Sequence, residues 1–358
     1  MTSPDQTLLE PTHSAMKNHS PRSLPSNRLP RRTILAGAAA LLAGVFGAGA
    51  APSALAADAY PSKTIKIIVP FAPGGPTDIM GRYVAKVIGD ALKQTVIVEN
   101  RAGAGGNLGT DVVAKAAPDG YTLGIGAISS LAISPGLYEK LPYNVAKDLA
   151  PVTLVGIAKG AILAHPSAPF NDLKGMLAYA KANPGKLNYA SSGIGTANHL
   201  AGEYLQSLAG VDLQHVPYKG TAAAVQDLLA GNVLLSVESS LTSAAQHVTS
   251  GKLKAIAITS ATRSKMLPNV PTVAEQGFPG FDVPTWFGLI APAGTPKEVV
   301  ATINRVVTDA LKTPDAAERF AQIGAEPHPT SPEQFGSYIR EETARWTKVI
   351  KTANIKPE

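Results

Sequence analysis

The sequence predicts an α/β protein of two lobes, each built on a parallel-type sheet flanked by helices, with a cleft between them. Short β-branched runs alternate with helical stretches at the spacing of βαβ units. The alternation restarts beyond a shift in composition between Pro142 and Pro151. After a second proline-rich stretch, Pro279 to Pro284, one more strand and three helices follow, which read as a return to the first lobe. A length of 358 residues exceeds one ordinary domain and suits two of roughly 150 residues each.

The amino-terminal stretch is a targeting sequence. Residues 1–30 are polar and rich in Pro, Ser and Asn, and Met16 is an alternative start. Arg31 and Arg32 then precede an 18-residue apolar and small run, Ile34 to Ala51, which ends near Ala54-Leu55-Ala56, a small-x-small cleavage pattern. The paired arginines and the weakly hydrophobic, glycine-containing run suggest twin-arginine export, with the general secretory route as the alternative. Residues 1–56 are therefore read as an export signal and preceding tail, cleaved near Ala56, and the protein as periplasmic. A retained membrane anchor is the other reading, but the run is short for a span.

In the mature chain, strand Ile65–Val69 is closed by Pro70 and followed by a helix from Asp78 to about Leu92. Thr95–Val98 is the next strand, Leu108–Ala116 the next helix, and Tyr121–Ile125 the third strand. Leu154–His165 opens the second set, with a helix over 173–182, a strand at Leu187–Ala190 and a helix from about Thr196 to Leu208. Leu213–Val216, helix Ala222–Ala230, Val233–Val237 and Lys254–Thr259 complete it. Phe287–Ile290 and helices Pro296–Leu311, Pro314–Ile323 and Pro332–Ile350 return to the first lobe. The expected division is 57–160 plus 281–358 for lobe one and 161–280 for lobe two. Two crossings of this kind make a hinge.

Composition narrows the function. With 45% hydrophobic and 16% charged residues, against about 25% charged in an average chain, sizeable cores are available and disorder is excluded as the main state. The absence of cysteine excludes thiolate metal sites, disulfides and a Cys nucleophile. The net charge of +6 falls to +3 once the leader is removed, leaving 27 basic against 24 acidic residues. No basic block with interleaved aromatics appears, so nucleic acid is not an expected partner.

Ligands of open α/β sheets sit beyond the carboxyl ends of strands, which directs attention to the loops there. Pro70-Phe71-Ala72-Pro73-Gly74-Gly75-Pro76-Thr77-Asp78 opens a helix, and its glycines permit close backbone approach while Thr77 or Asp78 can cap. A plain capped turn is the alternative. Ser191-Ser192-Gly193-Ile194-Gly195-Thr196-Ala197-Asn198-His199 opens a second helix with small and hydroxylated residues. Two such loops, one per lobe, suit a carboxylate held from both sides. Val216-Pro217-Tyr218-Lys219-Gly220-Thr221 supplies a phenol to bond a ligand or to pack at the turn, and Lys219 reads as a surface charge.

Other chemistries lack their patterns. Gly103-Ala104-Gly105-Gly106-Asn107-Leu108-Gly109 fails the GxGxxG spacing at Leu108, and no GxxxxGK[ST] exists, so no nucleotide cofactor is expected. No G-x-S-x-G surrounds Ser191 or Ser192. His199 and Glu203 share a helix face that a metal would accept, but without HExxH or a second ligand pair, leaving His199 as a ligand contact or a capping or core-edge histidine. No catalytic residue, metal or cofactor is assigned.

From Tyr60 to the carboxyl end the chain resembles the Bug or TctC family, extracytoplasmic solute-binding proteins of tripartite tricarboxylate transporters. The resemblance rests on Val69-Pro70-Phe71-Ala72-Pro73-Gly74-Gly75 with Thr77-Asp78, Val98-Glu99-Asn100-Arg101 with Gly103-Ala104-Gly105-Gly106, Pro118-Asp119-Gly120-Tyr121-Thr122, His199-Leu200-Ala201-Gly202-Glu203, Val216-Pro217-Tyr218-Lys219-Gly220, Pro271-Thr272-Val273-Ala274-Glu275 and Trp286-Phe287-Gly288. It implies a two-lobed periplasmic binding protein fold (type II-like). It implies also a monomeric, non-enzymatic protein that binds a small organic carboxylate and delivers it to the permease subunits of such a transporter. Carried over, the carboxylate contacts are Phe71, Ala72, Gly75, Asp78, Ser192 and Thr196, partly through water, with Tyr218 lining the cleft.

One departure stands out: Gly231-Asn232-Val233-Leu234-Leu235-Ser236-Val237-Glu238 replaces the pattern Gly-x-Val-Asp-Leu-Met-Phe-Asp. Glu238 ends a strand where a side chain points into the cleft and would disfavour a second ligand carboxylate, favouring a monocarboxylate with a donor, or an aromatic or amino acid, over citrate. The alternative is a structural acceptor for backbone N–H groups. An enzyme acting on an organic acid and a sensor partner of a membrane kinase are the rival functions.

Overall fold

The computed structural model describes residues 60–241 and 244–357; the expected leader, residues 1–56, lies outside them. In chain order, β1 (Ile65–Val69) leads into α1 (Pro76–Leu92) and β2 (Val96–Asn100) into α2 (Asn107–Ala114). β3 (Thr122–Ala127) runs into a π-helical turn, Ser129–Ile133, that continues as α3 (Ser134–Leu137). The short α4 (Val145–Asp148) precedes the long β4 (Leu149–Ala158). There follow β5 (Ala161–Ala164), α5 (Leu173–Ala182), β6 (Asn188–Ser191), α6 (Ala197–Ala209), β7 (Gln214–Pro217), α7 (Thr221–Leu229), β8 (Leu235–Glu238), α8 (Ala245–Thr249) and β9 (Lys254–Ile258). The chain closes with β10 (Thr285–Pro292), α9 (Lys297–Leu311), α10 (Pro314–Gln322), β11 (Ala325–Pro327) and α11 (Pro332–Thr352).

Local chemistry sets most of these elements. Val299, Ile303, Val307 and Leu311 recur every four residues and form the buried stripe of α9. Ser331 and Gln334 make a reciprocal capping box at the start of α11, with Pro332 at the first helical position. β1 buries Ile65, Ile67, Ile68 and Val69, as an interior strand covered on both faces must.

The strands form two sheets, one ordered β11-β4-β10-β3-β1-β2 and the other β7-β6-β8-β5-β9. β1 pairs in parallel with β2 and β3, and β6 with β7 and β8. β10 is antiparallel to β3 and β4, β11 to β4, and β5 to β8 and β9, so both sheets are mixed rather than wholly parallel. The reason lies in the crossings. β5 and β10 each begin where the chain passes from one sheet to the other, so they run against strands whose carboxyl ends face the cleft. The apolar run 154–165, read as one stretch, is broken at Lys159-Gly160, with Leu154–Ala158 in the first sheet and Ala161–Ala164 in the second.

The two crossings, at 159–160 and across 259–284, lie side by side. The Thr259 N–H donates to the Gly160 carbonyl at 3.0 Å, and a Cβ on Gly160 would stand 2.7 Å from Thr259 Oγ1. One apolar cluster also joins the sheets, uniting Ile128, Leu131, Trp286 and Trp346 with Met176, Tyr189, Leu200 and Val237. The connection is therefore tightly packed, while the far ends of the sheets remain separate layers with their own apolar clusters.

Candidate functional site

A cavity of about 300 Å³ is lined by segments from both sheets. From the first sheet come the loop Phe71–Thr77 at the start of α1, the end of β3 with Ser129, and Thr285 and Phe287 of β10. From the second come Ser192, the first turn of α6, the segment 219–223 at the start of α7, and Ser239 after β8. A hollow of about 840 Å³ lies elsewhere, between residues 135–151 and α11, and gathers no start of a long helix.

The helix starts give the cavity its chemistry. The first N–H groups of any helix lack intrahelical acceptors and carry the positive end of the helix dipole. Helices α5, α10 and α11 cover these groups with Asp172, Thr313 and Ser331. At the cavity, α1 and α7 begin on Gly75 and Gly220 with no side-chain cap. Gly220 has φ 138°, a value side chains rarely adopt, so the position itself favours an uncapped start. Thr77 and Thr221, both buried, also line the space. Among the described lining residues Lys219 is the only formally charged one, and no carboxylate lines the cavity.

The candidate residues divide into those that line the cavity and those that hold its walls. Phe71, Ala72, Gly75, Thr77, Ser192 and Thr196 line it. Asp78 does not: its carboxylate accepts from the Gly74 N–H at 3.0 Å, Arg82 Nε at 2.9 Å and Asn100 Nδ2 at 2.9 Å. Burial alone would push the Asp78 carboxyl up, but these three donors bring it below the usual range. Asn100 also donates to the Phe71 carbonyl at 3.0 Å, so the two side chains pin the loop before α1.

Thr196 is the N-cap of α6, accepting from the His199 N–H at 3.4 Å and donating to the Gly193 carbonyl at 2.5 Å. Ser191 is fully buried outside the cavity, 2.6 Å from His215 Nε2. His199 is a structural histidine: its Nδ1 accepts from the Gly195 N–H at 3.2 Å and its ring stacks on His215 at 4.2 Å. Burial and the neighbouring His215 push its pKa down to about 3, so the ring is neutral. Among the described residues no group of three or more His, Asp or Glu could hold a metal.

Tyr218 lies beside the main cavity rather than on it, with its hydroxyl donating to Asp227 at 2.6 Å; burial and that carboxylate push its pKa up to about 12. It faces an adjoining hollow of about 530 Å³, behind Phe71 and Ser192, opposite the glycines at 103–106. Glu238 is fully buried and does not line the cavity either. In the register Ala161↔Glu238 and Leu163↔Ser236 its side chain shares a face with Ala161, Leu163 and Ser236, against the apolar cluster of α7. Ser236 donates to one of its oxygens and the other has no hydrogen-bond partner. Burial pushes its pKa up to about 7, against the lowering effect of Ser236.

Ser129 and Thr285 were not singled out in the sequence, and Asn198 entered it only as part of its loop. Ser129, Asn198 and Thr285 are 2%, 2% and 5% exposed, and Ser129 Oγ, Asn198 Nδ2 and Thr285 Oγ1 have no hydrogen-bond partner. Ser129 and Asn198 follow strands and were within reach of the rule that directed attention to post-strand loops. Thr285 was not, since it begins an antiparallel strand and so meets the cleft with its amino end. Lys219, read as a surface charge, is exposed but edges the cavity.

Two sheets joined at paired crossings, with helix starts from both gathered on a small cavity, are the architecture of a two-lobed solute-binding protein. The chain belongs to the tripartite tricarboxylate transporter family receptors (TctC), whose model matches residues 80–355. It is 40% identical over 315 residues to protein BugT of Bordetella pertussis, covering 87% of this chain and 96% of that one. The periplasmic binding protein BugD is 38% identical with a TM-score of 0.78, over 84% of this chain and 100% of BugD. Rpa4515 of R. palustris, solved with adipate, is 34% identical with a TM-score of 0.80, over 84% of this chain and 100% of that one.

Proposed function

We propose that this protein captures a small organic carboxylate between its lobes, 57–160 plus 281–358 and 161–280, and delivers it to the membrane permease of a tripartite tricarboxylate-type transporter. It does so without chemistry. The observation that carries the reading is the pair of uncapped helix starts, Gly75 on α1 and Gly220 on α7, converging on a cavity whose one formal charge among the described lining residues is Lys219. Backbone N–H groups that no side chain covers are suited to a carboxylate. Family membership and the adipate of Rpa4515 support it. Phe71, Ala72, Gly75, Thr77, Ser192 and Thr196 are the ligand-facing residues in this reading, and Asp78, Ser191 and His199 position their loops.

The export signal and the periplasmic character of BugD support a periplasmic location. Among the described residues no helix is long and apolar enough to cross a membrane. Intact mass of the exported protein should correspond to a start near Ala57. Mass spectrometry of small molecules released on denaturing the purified protein should identify an organic acid, confirmed by titration of that acid into dialysed protein. Steady turnover of the acid by pure protein would contradict the non-enzymatic reading.

A further inference from the structure

The lobes also meet outside the ligand cavity. Residues 102–106 of the first lobe and 192–194 of the second line the hollow of about 530 Å³, which shares Phe71, Ser192 and Lys219 with the cavity. In that lining Gly105 lies on the backbone of the other lobe: a Cβ there would stand 2.7 Å from the Ile194 carbonyl oxygen and 3.7 Å from the Gly195 carbonyl carbon. Gly195 in turn packs against the end of α3, where a Cβ would stand 3.1 Å from the Tyr138 hydroxyl and 3.2 Å from Leu137 Cδ2. Gly105, Ile194, Gly195 and Tyr138 do not line the cavity.

Each side of this contact is built within its own lobe. The Gly106 N–H donates to the Gly103 carbonyl at 3.0 Å, and Thr110 Oγ1 donates to the Gly106 carbonyl at 3.0 Å. Across the cleft the Gly193 N–H donates to Ser191 Oγ at 3.1 Å, the Gly195 N–H to His199 Nδ1 at 3.2 Å and the Thr196 N–H to the Gly193 carbonyl at 3.3 Å. Surfaces already ordered on both sides meet without the loss of loop freedom that association ordinarily costs. Among the described residues no backbone hydrogen bond joins Gly105 to Ile194 or Gly195. The contact is therefore one of close packing, which is lost over a short separation. Gly105 and Gly195, at φ 63° and 72°, are the positions where a left-handed backbone and a bare surface are both required.

We infer that Gly105, Ile194, Gly195 and Tyr138 form a latch between the lobes, which favours the closed conformation and touches no ligand. The inference goes beyond the carboxylate reading and rests on it only in placing the ligand between the lobes. A contact made in the closed state alone adds the same free energy to the binding of every ligand that closure traps. The latch therefore sets how tightly ligands are held and leaves their ranking to the cavity.

Gly105→Ala tests it, with Gly210→Ala as the control. Gly210 has the same left-handed backbone, φ 61°, at the end of α6 with nothing within 4 Å, so an alanine there adds strain without a clash across the cleft. Titration calorimetry of the dialysed mature protein with adipate, malate and citrate makes the measurement. Each acid that binds the parent should bind Gly105→Ala about tenfold more weakly, by the same factor for every acid, and Gly210→Ala within about twofold of the parent. Should thermal melting show that Gly105→Ala does not fold, Tyr138→Ala, which removes the first lobe's side chain from the contact, carries the same comparison. Affinity equal to that of Gly210→Ala would overturn the latch alone, and so would a factor that differs between acids, which would place Gly105 against the ligand. If the parent binds none of the three acids, the carboxylate reading falls, and X-ray scattering of the ligand-free proteins decides the latch. A larger radius for Gly105→Ala than for Gly210→Ala then supports it, and equal radii overturn it.

Discussion

Replacing Glu238 with Gln removes a buried ionisable group whose folded-state pKa stands at about 7 against an ordinary 4.5. Below pH 4.5 the carboxyl is protonated in both folded and unfolded chains and contributes no pH dependence. Between 4.5 and 7 the unfolded chain has released its proton and the folded chain still holds it, so stability falls as pH rises. Above 7 both are ionised and the loss is complete. Raising the carboxyl from 4.5 to about 7 corresponds to about 3 kcal/mol, at about 1.36 kcal/mol for each tenfold change in proton affinity. The Glu238→Gln variant lacks this loss. Its stability relative to the parent should therefore improve by about 3 kcal/mol between pH 4.5 and 8, or several degrees in Tm at roughly 2–4 °C per kcal/mol.

His199, pushed down to about 3, acts in the opposite sense between 3 and 6.5, where the unfolded chain takes up a proton that the folded chain refuses. It is present in parent and variant and cancels in the difference. Urea or thermal melts of both proteins at pH 5, 6, 7 and 8 make the measurement. Parallel stability curves would refute the burial argument for Glu238. The ranking of carboxylate ligands should be the same in both proteins, because the side chain lies against the α7 cluster and not in the cavity.

Three further outcomes follow from the geometry. Thr196→Val removes the N-cap of α6, and the Tm of the ligand-free protein should drop by an amount corresponding to about 1 kcal/mol, visible by calorimetry. Tyr218→Phe breaks the bond to Asp227 and should lower stability modestly while leaving carboxylate affinity within about twofold of the parent, as titration would establish. Gly105→Ala forces a side chain onto φ +63°, at a cost of about 1–2 kcal/mol, and sets a Cβ 2.7 Å from the Ile194 carbonyl across the cleft mouth. X-ray scattering should find a larger radius than the parent's, and an unchanged radius with unchanged carboxylate affinity would mean that this contact does not hold the lobes together.

Short-range chemistry made much of this molecule legible from the chain alone. The β-branched run 65–69, the Gly-Gly loop after it and the Pro-marked starts of α10 and α11 are each dictated by a few neighbouring residues, and they appear within a residue or two of expectation. Spacing likewise carried the loops at 71–77 and 191–196, because parallel strands deliver their carboxyl ends to one edge of a sheet. The restart and return of the strand–helix alternation carried the two lobes, and the family resemblance added the type of binding-protein fold.

Other features depended on partners distant in sequence. The face taken by Glu238 changes with a single residue of register, and that register is set by β5 and β6, both distant in sequence. The antiparallel direction of β10, which carries Thr285 to the cleft by its amino end, follows from where the chain crosses back between the sheets. Tyr218 turned from the cavity because Asp227 lies nearly two turns along α7, and His199 became structural because His215 stacks on it from the next strand. A hydroxyl in a sequence has no marker for whether its hydrogen bonds are met. That the side-chain atoms Ser129 Oγ, Asn198 Nδ2 and Thr285 Oγ1 are left unpartnered around one space was decided only where segments of both sheets pack around it.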